Sequence, residues 1–290
     1  MAGLPSIGDL GLSALLAAQR AIGTTSHNIA NVNTDGYSRQ RVEFEARSPQ
    51  TLRNLQFGRG VEIRTIDRIV DAIANEQVVR QTANAGEAER FLTLAKRMDG
   101  ILADPSAGLS PALDSFFNAL QQVSDAPSSA VQRQVLLSEA QTLSDRFRIL
   151  DAQFEESDAG ISDEIRASVA DINALAYSVA NLNTRIVDRG RADNPHNDLL
   201  DQRDQVVREL AELTGITTVD QDHGAIAVFT GRGHPLVTGN TVSELQAVAN
   251  PFDPTRLEIA NSAGFNITAT LTGGSIGGLL SFRAQILDPS

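Results

Sequence analysis

Apolar and polar positions along the chain change period several times, and each change marks an element. Near the N-terminus, Leu12, Leu15, Gln19, Ile22, Ser26 and Ile29 alternate three- and four-residue steps, the spacing of a heptad seam on an amphipathic helix. Gln19 and Ser26 break its apolar character, so the pattern predicts a coiled-coil-type helix that needs a partner helix or a neighbouring subunit. Asn28-Ile-Ala-Asn31-Val-Asn33-Thr34-Asp35-Gly36-Tyr37 follows. It gathers residues that leave helical geometry easily, because Asn tolerates the left-handed region and Asp-Gly favours a tight turn. The helix is expected to stop there. Residues 38–66 alternate over short runs, Arg41-Val42-Glu43-Phe44-Glu45 and Val61-Glu62-Ile63-Arg64, with Gly58 and Gly60 between them, which predicts a loose β excursion.

Helical spacing resumes at Ile66, Ile69 and Ile73 and continues through Phe91, Leu94, Met98 and Ile101 to a stop at Asp104-Pro105. Ser110 to Val123 reads as a short helix, with Pro111 in its first turn and Leu113, Phe116, Phe117 and Leu120 on one face. Asp125-Ala126-Pro127-Ser128 breaks it. The strongest period passes through Leu136, Ala140, Leu143, Phe147, Leu150 and Phe154, then Ile165, Val169, Ile172, Ala176 and Val179 toward Ile186. Gly160 lies between the halves, but an interior glycine costs only about 1 kcal/mol. The spacing therefore predicts one helix over 129–189, ~90 Å long at ~1.5 Å per residue. A break at Gly190 to Pro195 precedes a helix over 198–213, with Leu199, Val206, Leu210 and Leu213, whose return onto the long helix would make a bundle.

Beyond Gly215 the runs Ile216–Val219, Ala225–Phe229, Leu236–Val237, Leu257–Ile259 and Phe265–Leu271 are short and separated by Gly, Pro, Asn and Asp, which predicts a small β domain. Ile276 to Leu287 reads as helix again, so the β unit is an insertion. The expected fold class is mainly α with a small β insertion: an elongated long-helix bundle preceded by a coiled-coil-type helix. Its expected divisions are 1–65 (N-terminal helix and extended linker), 66–215 (helical bundle), 216–274 (β domain) and 275–290 (return helix).

At 290 residues the chain has room for two or three such segments, given about 100–200 residues per domain. Aromatic residues are 4% with no Trp, which suits helix seams better than one large globular core. A net charge of −12 repels phosphate backbones and anionic membrane surfaces, so neither nucleic acid nor membrane is an expected partner. The absence of Cys excludes disulfides, thiolate nucleophiles and Cys-ligated metals. No run approaches the ~18–20 apolar residues of a membrane span. Gln19 and Arg20 interrupt the stretch from Leu12 to Ala18, so no cleaved signal peptide is expected. A chain exported by a dedicated machine without such a signal would look the same.

Candidate chemistry is sparse. His27, His196, His223 and His234 are isolated and predict no metal site. Gly273-Gly274-Ser275-Ile276-Gly277-Gly278 lacks the Lys-Ser/Thr pair of a phosphate loop and the strict G-x-G-x-x-G spacing, and reads as a flexible strand-to-helix turn. Asp193, Asp198, Asp201 and Asp204 lack the ligand order of a calcium loop, and Asp201, Arg203, Asp204 and Arg208 read as a solvated helix face. No Ser sits in a G-x-S-x-G elbow. No catalytic, cofactor-binding or metal residue is nominated, and an enzyme is not expected.

Gly11-Leu-Ser-Ala-Leu-Leu-Ala-Ala-Gln19, followed by Ser26-His-Asn-Ile-Ala-Asn-Val-Asn-Thr-Asp-Gly-Tyr-Ser-Arg-Gln40, resembles the signature of the flagellar rod, hook and hook-associated proteins, with its A-N-x-N-T-x-G-Y core. Within that group, Tyr37-Ser38-Arg39-Gln40, Gly60 to Asp71, Asn197-Asp-Leu-Leu-Asp-Gln-Arg-Asp204 and Gly273 to Asp288 look like the hook-associated protein 1 family. Asp35 stands where that family commonly has Pro, which changes the turn type but keeps a turn. The family also has a long C-terminal half ending in a helix that pairs with the N-terminal one, whereas this chain stops at Ser290.

The resemblance implies a structural subunit of the bacterial flagellum. Its N-terminal helix would pack in the inner tube, its bundle would form the middle layer and its β insertion would project outward. The implied partners are hook protein, a second hook-associated junction protein, further copies of itself in a ring, and an export chaperone for the full-length protein. The implied location is the extracellular flagellum, reached through the flagellar type III apparatus. Leu12, Leu15, Ile22, Ile29, Asn28, Asn31, Asn33, Thr34, Gly36 and Tyr37 are the expected assembly contacts. Lacking the C-terminal half, the chain alone is expected to be monomeric.

Two other readings stay open. A rod or hook subunit would share the N-terminal motif but is not expected to carry a helix of about 60 residues. A coiled-coil regulatory or signalling protein would share the helices but has no reason to open with that motif.

Overall fold

The structure, a computed structural model, describes residues 7–52, 55–102, 108–191 and 196–288. Helix α1 (Ile7–Ala30) ends where the Asn-rich motif begins, in turns closed by Thr34 N–H on the Asn31 carbonyl and Tyr37 N–H on the Thr34 carbonyl. Gly36 has a φ of +78°, a conformation open to glycine without steric penalty. Strand β1 (Gln40–Ala46) pairs antiparallel with β4 (Val61–Arg68), from Gln40 opposite Arg68 to Ala46 opposite Val61, with a bulge between Glu43 and Phe44. The short strands β2 (Gln50–Leu52) and β3 (Leu55–Phe57) form a second hairpin at the far end.

Ile66 lies on β4 opposite Val42, so the Ile66–Ile69–Ile73 spacing does not mark a helix. Helix α2 begins at Ala72 instead. Asp71 caps it, its Oδ1 accepting the N–H groups of Ile73 at 3.0 Å and Ala74 at 3.1 Å.

The helical part consists of α2 (Ala72–Leu102), α3 (Leu109–Asp125), α4 (Ala130–Arg191), α5 (Asn197–Leu213) and α6 (Gly274–Phe282), the last followed by a π-helical turn over Arg283–Leu287. Helix α4 runs unbroken through Gly160 for 62 residues, as its heptad period predicts, and it also includes Gly190. The expected stop at Asp104-Pro105 and the remainder of the break before Pro195 lie outside the described residues. The C-terminal half of α4 buries Ile165, Ile172, Ala176 and Val179 against Leu94 and Met98 of α2, Val207 and Leu210 of α5, and Ile276, Leu279 and Phe282 of α6. Its N-terminal half packs on α3, which turns Ala112 and Ala119 inward.

Strands β5 (Ile216–Asp220), β6 (Ile226–Thr230), β7 (His234–Thr238) and β8 (Thr241–Val242) form an antiparallel meander, and β9 (Gln246–Ala249) and β10 (Leu257–Ala260) form a hairpin. The run Phe265–Leu271 is not a strand: it makes one bridge, at Asn266, and a 3-10 turn over Thr268–Thr270. Here side chains replace ladder partners. Asn266 Oδ1 accepts the Thr268 N–H, and Thr268 Oγ1 accepts the Ile259 N–H.

The β segment packs directly on the helices, with Val228, Leu236, Val237 and Ile259 joining the same buried core as α4. Three polar side chains of α4 tie it down. Asn183 bonds the Ile226 N–H and carbonyl, Asn173 those of Leu245, and Ser162 accepts the Leu257 N–H. The glycines at 273–278 serve packing rather than flexibility. A Cβ on Gly278 would lie 2.5 Å from the Glu87 carbonyl oxygen, and the Glu87 carboxylate accepts the Gly273 N–H at 2.6 Å and the Ser281 hydroxyl at 3.2 Å.

Candidate assembly site

Helix α1 lies on the β1–β4 hairpin through its small and polar residues. Ser13 and Ala17 are buried. The Ser13 hydroxyl accepts the Val61 N–H at 3.3 Å while donating to the Leu10 carbonyl, which pins the start of the helix to the far end of β4. Asn28 pins its end. Its Oδ1 accepts the Gln40 N–H at 2.9 Å and the Tyr37 hydroxyl at 2.6 Å, and its amide donates to the Gln40 carbonyl at 2.8 Å. The Tyr37 ring meets His27 edge to face at 5.5 Å. Asn31 donates to the His27 carbonyl, and the Thr34 hydroxyl donates to Asn31 Oδ1. Asn33 is exposed in the turn.

At about 100° per residue, the seam residues fall on the side of α1 roughly opposite this polar stripe. Leu12 is 55% exposed, Leu15 65%, Ile22 67% and Ile29 69%. The predicted contact residues thus separate into two groups. Leu12, Leu15, Ile22 and Ile29 form an outward apolar face, whereas Asn28, Asn31, Thr34, Gly36 and Tyr37 hold the chain that supports it.

The motif turn also meets α5 through residues that sequence reasoning misassigned. Asp201 and Arg203 are only 8% and 7% exposed, and Asp204 is largely covered, so this side of α5 is not solvated. Asp201 accepts the Ser38 N–H at 3.2 Å and pairs with Arg68 at 2.7 Å, and Asp204 pairs with the same guanidinium at 2.9 Å. Asn197 donates to the Ile66 carbonyl at 2.7 Å. Gly36 fits against Gln205 and Arg208, where a Cβ would be about 3 Å from each. Burial foremost, then the charges of Asp201 and Asp198, pushes the Tyr37 phenol above its ordinary value. Arg203 donates to the Gly224 carbonyl at 2.6 Å and to Asn183 at 3.4 Å, and burial lowers its pKa.

The one available signal was the three-residue spacing of Asp198, Asp201 and Asp204. Arg68, the partner of Asp201 and Asp204, lies 133 residues from Asp201 in the chain, beyond the reach of local pattern. Among the described residues no group of His, Asp and Glu could hold a metal ion, and no helix is long and apolar enough to cross a membrane.

Fold and site together define an α-rich protein whose N-terminal helix is braced on a hairpin with its apolar seam outward. Residues 95–290 match the helical domain of the flagellar hook-associated protein FlgK, and residues 9–37 match the flagella basal body rod protein family. The chain is 37% identical over 286 residues to flagellar hook-associated protein 1 of Salmonella typhimurium, covering 96% of this chain and 51% of that protein. It is 34% identical over 287 residues to the Escherichia coli protein of the same name, covering 96% and 52%, and 30% identical over 228 residues to that of Bacillus subtilis, covering 76% and 45%. The flagellar hook junction protein FlgK from Burkholderia pseudomallei shares the fold with a TM-score of 0.66 and 31% identity, over 74% of this chain and 40% of that one. The chain belongs to the flagellar hook-associated protein 1 family. It spans about half the length of the curated relatives it matches.

Proposed function

We propose that this protein is a structural adaptor, not an enzyme, that forms the junction between hook and filament as a ring and is needed for filament assembly. The carrying observation is the orientation of α1: its large apolar residues Leu12, Leu15, Ile22 and Ile29 face outward although Asn28 and Ser13 fix the helix firmly to its hairpin. A rigid helix with an exposed heptad seam suits packing against other helices in a tubular array, where many repeated lateral contacts carry the load. In this reading the seam meets a C-terminal helix of the complete protein and neighbouring copies. Hook protein lies on one side of the ring and a second junction protein on the other.

The divisions proposed keep the expected units but move the first boundary from 65 to 69, because β4 runs to Arg68 and the Ile69 N–H bonds the Arg39 carbonyl: an inner-tube unit up to 69, a helical unit from there to 215 and over 275–290, and a β unit over 216–274 carried on α4. Export through the flagellar type III apparatus, with a chaperone for the complete protein, follows from the same reading. Deletion of the complete gene in its native bacterium tests it. Hooks without filaments, with flagellin lost to the medium, are expected. Missing hooks would point to a rod or hook subunit, and normal filaments would exclude a flagellar role.

A further inference from the structure

The unit formed by α1 and β1–β4 joins the bundle differently from the way the bundle holds itself together. The buried apolar core draws on no described residue before Val79. The hydrogen bonds and ion pairs of the joint are Arg68 on Asp201 and Asp204, the Ser38 N–H on Asp201, and Asn197 on the Ile66 carbonyl, beside the close approach of Gly36 to Gln205 and Arg208. On each side the structure is braced independently. Ile69 N–H bonds the Arg39 carbonyl, which makes Ile69 part of the hairpin, whereas Asp71 caps α2 and belongs to the bundle. Val70 lies between.

We propose that Arg68, Asp201, Asp204 and Asn197 are positioning residues that form a releasable clasp, setting the angle at which α1 is presented relative to α4, with Val70 as the pivot. The proposal rests on the assembly reading of the α1 seam and adds how that seam is aimed. A polar clasp suits this task because its groups regain hydration when they separate, whereas opening a packed apolar interface exposes surface that water does not satisfy. A backbone connection of one or two residues is enough to absorb a hinge rotation. Release moves α1 and its hairpin as one body, because the Asn28 brace and the β1–β4 ladder lie wholly inside the moving unit.

The chain contains no Cys, so Ala18→Cys on α1 and Asn181→Cys on α4, both exposed, take spin labels without background. Double electron–electron resonance on the otherwise unaltered chain should give one narrow distance population. Adding Arg68→Gln with Asn197→Ala should abolish that population in favour of a broad distribution, while the circular dichroism melt of the helices stays cooperative. Should Arg68→Gln leave Asp201 and Asp204 too poorly compensated for folding, the set Arg68→Gln, Asp201→Asn, Asp204→Asn and Asn197→Ala removes the charges together and must give the same broadening. A narrow distribution in the clasp variants, or a broad one in the starting chain, overturns the proposal. Filament growth is not part of this readout, so the outcome is separable from that of the gene deletion.

Discussion

Asn28 shows how one side chain converts a sequence motif into a fold: from the last turn of α1 it holds the returning chain at Gln40 and fixes Tyr37. The motif was legible as a turn because Asn, Asp and Gly act locally. Asp201 and Arg203 were not, because the groups that bury them come from β4 and from the loop before β6. Arg203→Ala removes the donor to Gly224 and leaves that carbonyl unpaired, so it should lower stability by about 1–3 kcal/mol in urea denaturation.

Asp158 on α4 supplies a pH-dependent prediction. Its Oδ1 is buried without a hydrogen-bond partner and its Oδ2 lies 3.9 Å from Arg256. Burial pushes its carboxyl above the ordinary 3.8, against the pull of Arg256 and Arg283. A carboxyl raised in the fold takes its proton more readily folded than unfolded, so when ionised it opposes stability, and that opposition fades as pH falls through the raised value. Asp158→Asn should therefore raise the denaturation midpoint at neutral pH, with an advantage that shrinks on acidification. Equal midpoints at neutral pH would contradict this.

Among the elements, two glycines in helices carry opposite expectations. Gly160 in α4 has open space where a Cβ would stand, with nothing within 4 Å, so Gly160→Ala should stabilise by about 0.5–1 kcal/mol through helix propensity alone. Gly278 in α6 abuts the Glu87 carbonyl and the Arg90 side chain, so Gly278→Ala must push α6 off α2 and should destabilise by about 1–3 kcal/mol. Thermal melts of the two variants should shift in opposite directions. The long α4 was readable because its seam repeats from Leu136 to Ile186, and the meander because its apolar runs are bounded by turn residues. The misplaced start of α2 has a simple cause: Ile66 and Ile69 keep helical spacing with Ile73 by coincidence, whereas Asp71 sets the helix boundary. Phe265–Leu271 has strand composition, but Asn266 and Thr268 divert its backbone bonds.

At the scale of the molecule, the two parts differ in what holds them. The bundle and the β segment share one apolar core organised by α4. The N-terminal unit turns its large apolar side chains outward and relies on polar anchors for its own shape. That division makes sense for a subunit whose core is finished within the chain and whose N-terminal helix is completed by assembly. If the α1 seam is an assembly surface, charges placed on it by Leu15→Asp and Ile22→Asp in the complete gene of the native bacterium should block assembly without unfolding the subunit. The expected variant melts as the parent does yet leaves hooks bare of filaments, with flagellin in the medium. Filaments of normal number and length on those cells would contradict an assembly role for the seam.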